Sequence, residues 1–386
     1  MKHSIATRME HVSPFHVMKL LARAKELEAQ GKKIVHLEIG EPDFDTPAPI
    51  VMAGIKALDM GHTNYTPAVG LDELRVAIAN HYKTRDGIDV DKNRIVVTPG
   101  SSSALQLVCG ALINPGDEVI LTDPGYPCNK QFVQLAGGAP VFIELDEDTN
   151  YALSPDAVRD VWTDKTKAIL LASPSNPTGV LIDTATLDEI AEFAREKNGY
   201  LILDEIYQGL VYDCEVKSFA NRHENVFIIN SFSKYFCMTG WRLGWLVAPE
   251  EFIDSIDRLA QNLFLAASTV SQYAALAAFT PATIDILESY RNEFKARRDY
   301  LYQALNDLGF KMKGKPQGAF YLYANSTKFS DDSYQLVQNL LEDVGVAITP
   351  GVDFGSHLAK DHVRFAYTRS VDQLELAISR LQGYLK

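Results

Sequence analysis

"AILLASPSNPTG" (168–179), "YLILDEIY" (200–207) and "VFIINSFSK" (226–234) repeat one pattern, an apolar run that ends in a polar cluster. None of these runs has the in/out alternation of a half-buried strand, as expected of strands covered on both faces. Runs of the same character at Arg94–Thr98, Glu118–Thr122, Pro140–Glu144 and Gly244–Val247 bring the candidate strands to seven. Helix-period segments lie between them at Ser102–Ile113, Cys128–Ala136, Ser154–Val161 and Thr184–Lys197. The last begins in "IDTATLDEI" (182–190), where Thr or Asp can cap and acidic residues suit the first turn. Strands alternating with helices imply right-handed crossovers and an α/β fold with a mainly parallel sheet.

Outward from this block the pattern changes. From about Glu250 it turns to long helices, then to short strands near Phe320–Tyr323, Val346–Ile348 and Val363–Ala366, and closes on an amphipathic helix, Val371–Leu385. On the N-terminal side a helix at about His16–Gln30 and a strand at Ile34–Glu38 precede the sheet. The expected division is a large domain at 46–283 and a smaller α+β domain built from 1–45 together with 284–386.

Composition narrows the function classes. The chain has 386 residues, 46% of them hydrophobic and 23% charged, which is enough to bury a large core. Its 37 Lys and Arg stand against 50 Asp and Glu, a formal net charge of −13, and a broad nucleic-acid surface needs the opposite sign. "MKHSIATRMEHVSPFHVMKLL" (1–21) lacks the apolar stretch of a signal peptide, and no run is long enough to span a bilayer. Cys109, Cys128, Cys214 and Cys237 show no CxxC spacing, so neither a metal site nor a disulfide framework is indicated. A cytoplasmic location is expected.

The polar clusters carry the chemistry. Ligands of open α/β sheets bind outside the carboxyl ends of the strands. "SPSNPTG" (173–179), Asp204 with Tyr207, and "SFSK" (231–234) should therefore meet in one crevice. "TPGSSSAL" (98–105) runs from a strand into a helix, where Gly100, Ser101 and Ser102 offer N–H groups and hydroxyls to a phosphate. Singly, each cluster is an ordinary loop or cap. Together they place a phosphate cradle, a lysine, a carboxylate and an Asn/Tyr pair at one sheet edge, which suits a phosphorylated aldehyde cofactor.

"SFSKYFCMTGWRLGW" (231–245), with "SPSNPTG" and "DEIYQGLVY" (204–212) upstream, resembles the fold-type I pyridoxal-phosphate aminotransferases, class I/II, of the aspartate aminotransferase family. The likeness extends from "LEIGEPDFDTP" (37–47) through "NYTPAVGLDELR" (64–75) and "QGAFYLY" (317–323) to "ITPGVDFG" (348–355) and "HVRFAY" (362–367). It implies a seven-stranded, mainly parallel sheet between helices, pyridoxal 5'-phosphate as cofactor, and a homodimer with shared sites. By motif, Lys234 is the Schiff-base lysine and the base that moves the substrate proton. Asp204 pairs with the pyridine nitrogen, Asn176 and Tyr207 reach the ring hydroxyl, and Tyr126 stacks on the ring. Gly100, Ser101, Ser102, Ser231, Ser233 and Arg242 hold the phosphate, and Tyr65 reaches that of the neighbouring subunit. Arg364 clamps the substrate carboxylate, with Gly40 and Asn176 helping.

The activity implied is ping-pong transamination between an L-amino acid and a 2-oxo acid. The aspartate-specific branch places small hydroxyl residues after an N-terminal proline and a lysine in the phosphate-loop segment. This chain has Pro14-Phe15-His16 and Ser102 there. Phe15 beside the substrate favours an apolar or aromatic side chain over aspartate, with 2-oxoglutarate or pyruvate as acceptor. A β-eliminating carbon–sulfur lyase is the alternative on the same scaffold. A regulator using this fold as a sensor would need a DNA-binding module, and the family motifs begin by residue 37.

Overall fold

The computed structural model describes residues 16–385 together with Ile5, Ala6, Met9 and Val12. Helix His16–Ala29 leads into a two-residue strand, β1 (Val35–His36). The central sheet follows as β2 (Ile95–Thr98), β3 (Glu118–Asp123), β4 (Ala139–Glu144), β5 (Thr166–Ala172), β6 (Tyr200–Asp204), β7 (Val226–Ser231) and β8 (Gly244–Val247). Its seven strands run in the order β2-β8-β7-β6-β5-β3-β4. Only β8 is antiparallel to its neighbours. The connection into β8 carries one short turn of 3₁₀ helix, Thr239–Trp241; helix Cys128–Leu135 joins β3 to β4 and helix Thr184–Glu196 joins β5 to β6, while β6 reaches its parallel partner β7 through a helix-free segment, 205–225.

Alternate residues of the inner strands feed two cores. Val96, Ile202, Ile229 and Leu246 pack with Leu105 and Val108 of helix Ser101–Leu112 and with Ile256 of helix Ile253–Leu263. Val97, Leu201, Leu203 and Ile228 pack on the other side with Leu187 and Ile190 of helix Thr184–Glu196 and with Leu74 and Ile78 of helix Asp72–Asp86. Burial on both faces explains the unbroken apolar runs. As read from the sequence, helix Thr184–Glu196 is capped there: Asp183 accepts from the Thr186 N–H at 2.9 Å. Helices Ala48–Asp59 and Asp72–Asp86 have no counterpart in the sequence reading.

The rest of the chain forms a smaller α+β layer. Helix Pro281–Leu308 is followed by β9 (Tyr321–Asn325), β10 (Val346–Ala347), β11 (Thr349–Pro350) and β12 (His362–Ala366), then helix Val371–Tyr384. Strands β11, β12 and β9 form an antiparallel sheet, while β10 pairs in parallel with β1. The expected strand at Ile34–Glu38 is therefore shorter. Its end leaves the ladder because the Glu38 carbonyl is taken by the side chains of Thr349 and Arg364. Among the described residues no helix is long and apolar enough to cross a membrane.

Candidate active site

Register brings the polar clusters to one edge. Ala172 pairs with Asp204, Asp204 with Ile229, Ser231 with Gly244, and Gly244 with Thr98. The segments that follow Thr98, Ala172, Asp204 and Ser231, and the one that precedes Gly244, therefore leave the sheet on the same side. The facing wall comes from the smaller layer, through Gly40, Tyr321 and Arg364, and from Val17, Met18 and Leu21 of the first helix. Between the walls lies a cleft of about 270 Å³.

At its inner end Lys234 Nζ donates to the Gly40 carbonyl at 2.7 Å. Burial lowers the lysine pKa to about 8; the Arg364 and Arg242 charges add to the drop and Glu41 opposes it. Asp204, fully withdrawn from solvent at the end of β6, is pushed up to about 7 by burial, against the Ile206 N–H (3.1 Å) and the Lys234 charge. A buried carboxylate raised this far calls for a cationic partner. The Tyr207 hydroxyl hydrogen-bonds that of Tyr321 at 2.8 Å, and burial raises the Tyr207 pKa well above its ordinary value. Tyr126 lines the cleft beside Asn176.

The phosphate-type end is built from a helix start. Gly100 precedes helix Ser101–Leu112 at φ 80°, and no side chain caps the helix. Its first N–H groups are thus free for an anion. A Cβ on Gly100 would come within 2.6 Å of the Arg242 guanidinium, so the arginine lies against the bare backbone. Ser101, Ser102, Ser233 and Arg242 all line the cleft.

At the other end Arg364 donates to Asn176 Oδ1 (2.8 Å), the Glu38 carbonyl (2.7 Å) and Thr349 Oγ1 (3.3 Å). It is held between the rings of Tyr321 and Phe354, with its guanidinium carbon 4.2 and 4.7 Å from their centroids. Its buried Nε has no partner. The acceptors that Lys234, Arg242 and Arg364 use are all uncharged. Their positive charge is free to attract anions into the cleft.

Not every expected residue lines this space. Ser231 sits behind it: its Oγ accepts from the Ser233 N–H at 3.0 Å and shapes the loop. Gly100 contributes backbone beside the wall. Tyr65 is 82% exposed and away from the cleft of its own chain. Phe15 lies outside the described residues. Among the wall residues that went unrecognised in the sequence are Tyr321, Glu38 and the apolar Val17, Met18 and Leu21. "QGAFYLY" was the available signal for Tyr321, but which of its aromatics faces the cleft depends on β9 pairing with β12.

With this geometry in hand, the comparisons with known proteins agree. The model of the family "Aminotransferase class I and II" matches residues 32–381. A (5-formylfuran-3-yl)methyl phosphate transaminase of Methanocaldococcus jannaschii is 40% identical over 384 residues, covering 99% of each chain. An aspartate aminotransferase of Bacillus sp. (strain YM-2) is 36% identical over 398 residues, 100% of each chain. A solved Methanococcus jannaschii structure, described as similar in its active site to kynurenine aminotransferases, matches with a TM-score of 0.91 and 40% identity. That match covers 99% of this chain and 100% of the other. The chain belongs to the class I and II aminotransferases, a pyridoxal-phosphate-dependent family of transaminases.

Proposed function

We propose that the cleft binds pyridoxal 5'-phosphate and catalyses transamination between a neutral or aromatic L-amino acid, favoured over aspartate, and a 2-oxo acid. The observation that carries this reading is the placement of Lys234 between a raised, buried Asp204 and an uncapped helix start backed by Arg242. The residues fit the cofactor on independent grounds. Gly100 leaves a cradle that a side chain would fill, against the Arg242 guanidinium, which suits a phosphate.

When bound, the cofactor supplies an aldehyde for the amine and a ring that accepts the electron pair left behind by the substrate α-proton. Lys234 would hold the cofactor covalently through its amine and, once free, would take the proton from the substrate Cα. Asp204 would keep the ring nitrogen protonated. Asn176 and Tyr207 would bind the ring hydroxyl, Tyr126 would cover the ring face, and Gly100, Ser101, Ser102, Ser233 and Arg242 would secure the phosphate, with Ser231 behind them holding the Ser233 loop. Arg364 grips the substrate carboxylate through its planar fork, with Gly40 and Asn176 beside it.

Donor preference rests on the cleft lining, where Val17, Met18, Leu21, Ile39 and Leu105 are apolar and position 102 is serine. Of the relatives named above, one is an aspartate aminotransferase and another has an active site likened to kynurenine aminotransferases. A screen in which the cofactor-loaded enzyme meets each amino acid, followed by absorbance, decides the matter. Aspartate far ahead of every neutral donor would refute the preference.

The assembly proposed is a homodimer in which Tyr65 serves the partner's site. Helix Ala48–Asp59 exposes Met52, Ile55 and Leu58, with Met60 just beyond, an apolar surface that a second copy would cover. The domain division at 46–283 and 1–45 with 284–386 is supported by the pairing of β1 with β10.

A further inference from the structure

Tyr321 opens β9 and is buried in the wall of the cleft, where it touches groups from both ends of the site. Its hydroxyl lies 2.8 Å from that of Tyr207. Its ring face carries Arg364, with the guanidinium carbon 4.2 Å from the ring centroid. The hydroxyl also fills the space over Gly40, where a Cβ would come within 2.0 Å of it, and the Gly40 carbonyl accepts from Lys234 Nζ at 2.7 Å. Sheet register fixes the second contact. Arg364 stands opposite Tyr323 and Ala366 opposite Tyr321, so Tyr321 and Arg364 are diagonal neighbours on one face of the sheet.

A side chain buried in this way acts through its neighbours. Among the described residues, Tyr207 is the one hydrogen-bond partner of the Tyr321 hydroxyl. Each hydroxyl carries a single proton. A Tyr207 that gives its proton to a ring hydroxyl oxygen therefore accepts from Tyr321, and the two hydroxyls form a chain that ends on the ring. Hydrogen bonds in such a chain strengthen one another where the dielectric is low. The ring face does a different task. It attracts the guanidinium plane and keeps the Arg364 fork at one orientation.

We propose that Tyr321 is a positioning residue for both ends of the site: its hydroxyl holds Tyr207 on the cofactor ring oxygen, and its ring holds Arg364 ready for the substrate carboxylate. The inference rests on the aminotransferase reading and adds a residue to it. Different atoms make the two contacts, so substitutions can separate them.

The test uses the cofactor-loaded enzyme. A donor on the ring oxygen favours the state in which the neighbouring nitrogen, joined to Lys234, has lost its proton. Tyr321→Phe removes the hydroxyl and keeps the ring. It should raise the pH midpoint of the bound cofactor's absorbance by about 0.5–1 unit and lower kcat roughly three- to ten-fold. The KM of the amino donor should stay near the wild-type value. In a Tyr207→Phe background the same substitution should move the midpoint no further, because the hydroxyl acts through Tyr207. Tyr321→Leu removes the ring as well. It should also raise that KM and weaken propionate binding, by about ten-fold. An unmoved midpoint in Tyr321→Phe, an equal shift with and without the Tyr207 hydroxyl, or wild-type propionate binding in Tyr321→Leu overturns the inference. So does a fall in Tm with the midpoint in place, which is the mark of a structural role alone. If no amino acid converts the wild-type cofactor, the aminotransferase reading itself has failed and takes this inference with it.

Discussion

Lys234 Nζ and the carbonyl of Gly40 are 2.7 Å apart although 194 positions separate them in the chain. The contact joins the loop after β7 to the segment after β1, and so ties the large sheet to the smaller layer at the point of chemistry. It has a consequence for Gly40. A Cβ there would lie 2.0 Å from the Tyr321 hydroxyl, inside any permitted contact. Gly40→Ala should displace Tyr321, break its bond to Tyr207, and cost about 1–3 kcal/mol of stability. Thermal unfolding checks this; an unchanged Tm would show that the wall yields.

Lys234→Ala removes both the amine that binds the cofactor and the base. Turnover should drop by about 10⁴-fold, and the long-wavelength absorbance of the bound cofactor should disappear. A variant that keeps either property contradicts the assigned role.

Arg364→Lys keeps a positive charge but loses the planar fork that reaches Asn176, Glu38 and Thr349. Loss of charge-assisted, bidentate bonding should cost about 1.5–3 kcal/mol in kcat/KM, roughly ten- to a hundred-fold. The loss should be of similar size for every amino donor, since all share the α-carboxylate. An effect confined to one side-chain class would move Arg364 to a different part of the substrate.

Asp204 sets a pH dependence for the apoenzyme. Its folded pKa, about 7, is above the unfolded value. Folding therefore takes up a proton between the two values, and the Asp204 contribution to stability is lost as pH rises through 7. Asp204→Asn should accordingly stabilise the cofactor-free protein at pH near 8.5, by about 1–3 kcal/mol, and have little effect near pH 4. Adding the cofactor should reverse the order, because the ring nitrogen then pairs with the wild-type carboxylate. Melting curves at both pH values, with and without cofactor, check the sign.

Met52→Glu together with Ile55→Glu places two charges on the exposed apolar face of helix Ala48–Asp59. If a second copy covers that face and lends Tyr65 to the site, the variant should be monomeric in sedimentation and inactive. A fully active monomer would remove the shared-site proposal.

Most of the fold was legible because the central strands are buried on both faces. "AILLA", "YLILD" and "VFIIN" have no polar side to confuse their reading, and the polar clusters that follow them mark the carboxyl edge. The direction of β8 was not legible, since it depends on the path of the connection from β7 rather than on its own residues. Helix Asp72–Asp86 hid because only Leu74, Ile78 and Tyr82 mark its core side among many charges. The site was legible where motifs carry it: Lys234, Asp204 and Asn176 meet at the strand ends that their apolar runs marked, and Arg242 and Arg364 line the same cleft, where the family resemblance put them. Glu38 was not. A glutamate in a strand reads as solvent-facing, and nothing local shows that its carbonyl is held by Arg364 and Thr349, more than 300 positions away. Tyr321 was lost among neighbouring aromatics.

The central claim is that Lys234 is the lysine that carries the cofactor. Borohydride reduction of the cofactor-loaded enzyme, followed by digestion and peptide mass measurement, tests it directly. The account predicts a single phosphopyridoxyl-labelled peptide, containing Lys234, that amino-acid substrate added beforehand protects from labelling. Stoichiometric label on another lysine, or none at all, would contradict it.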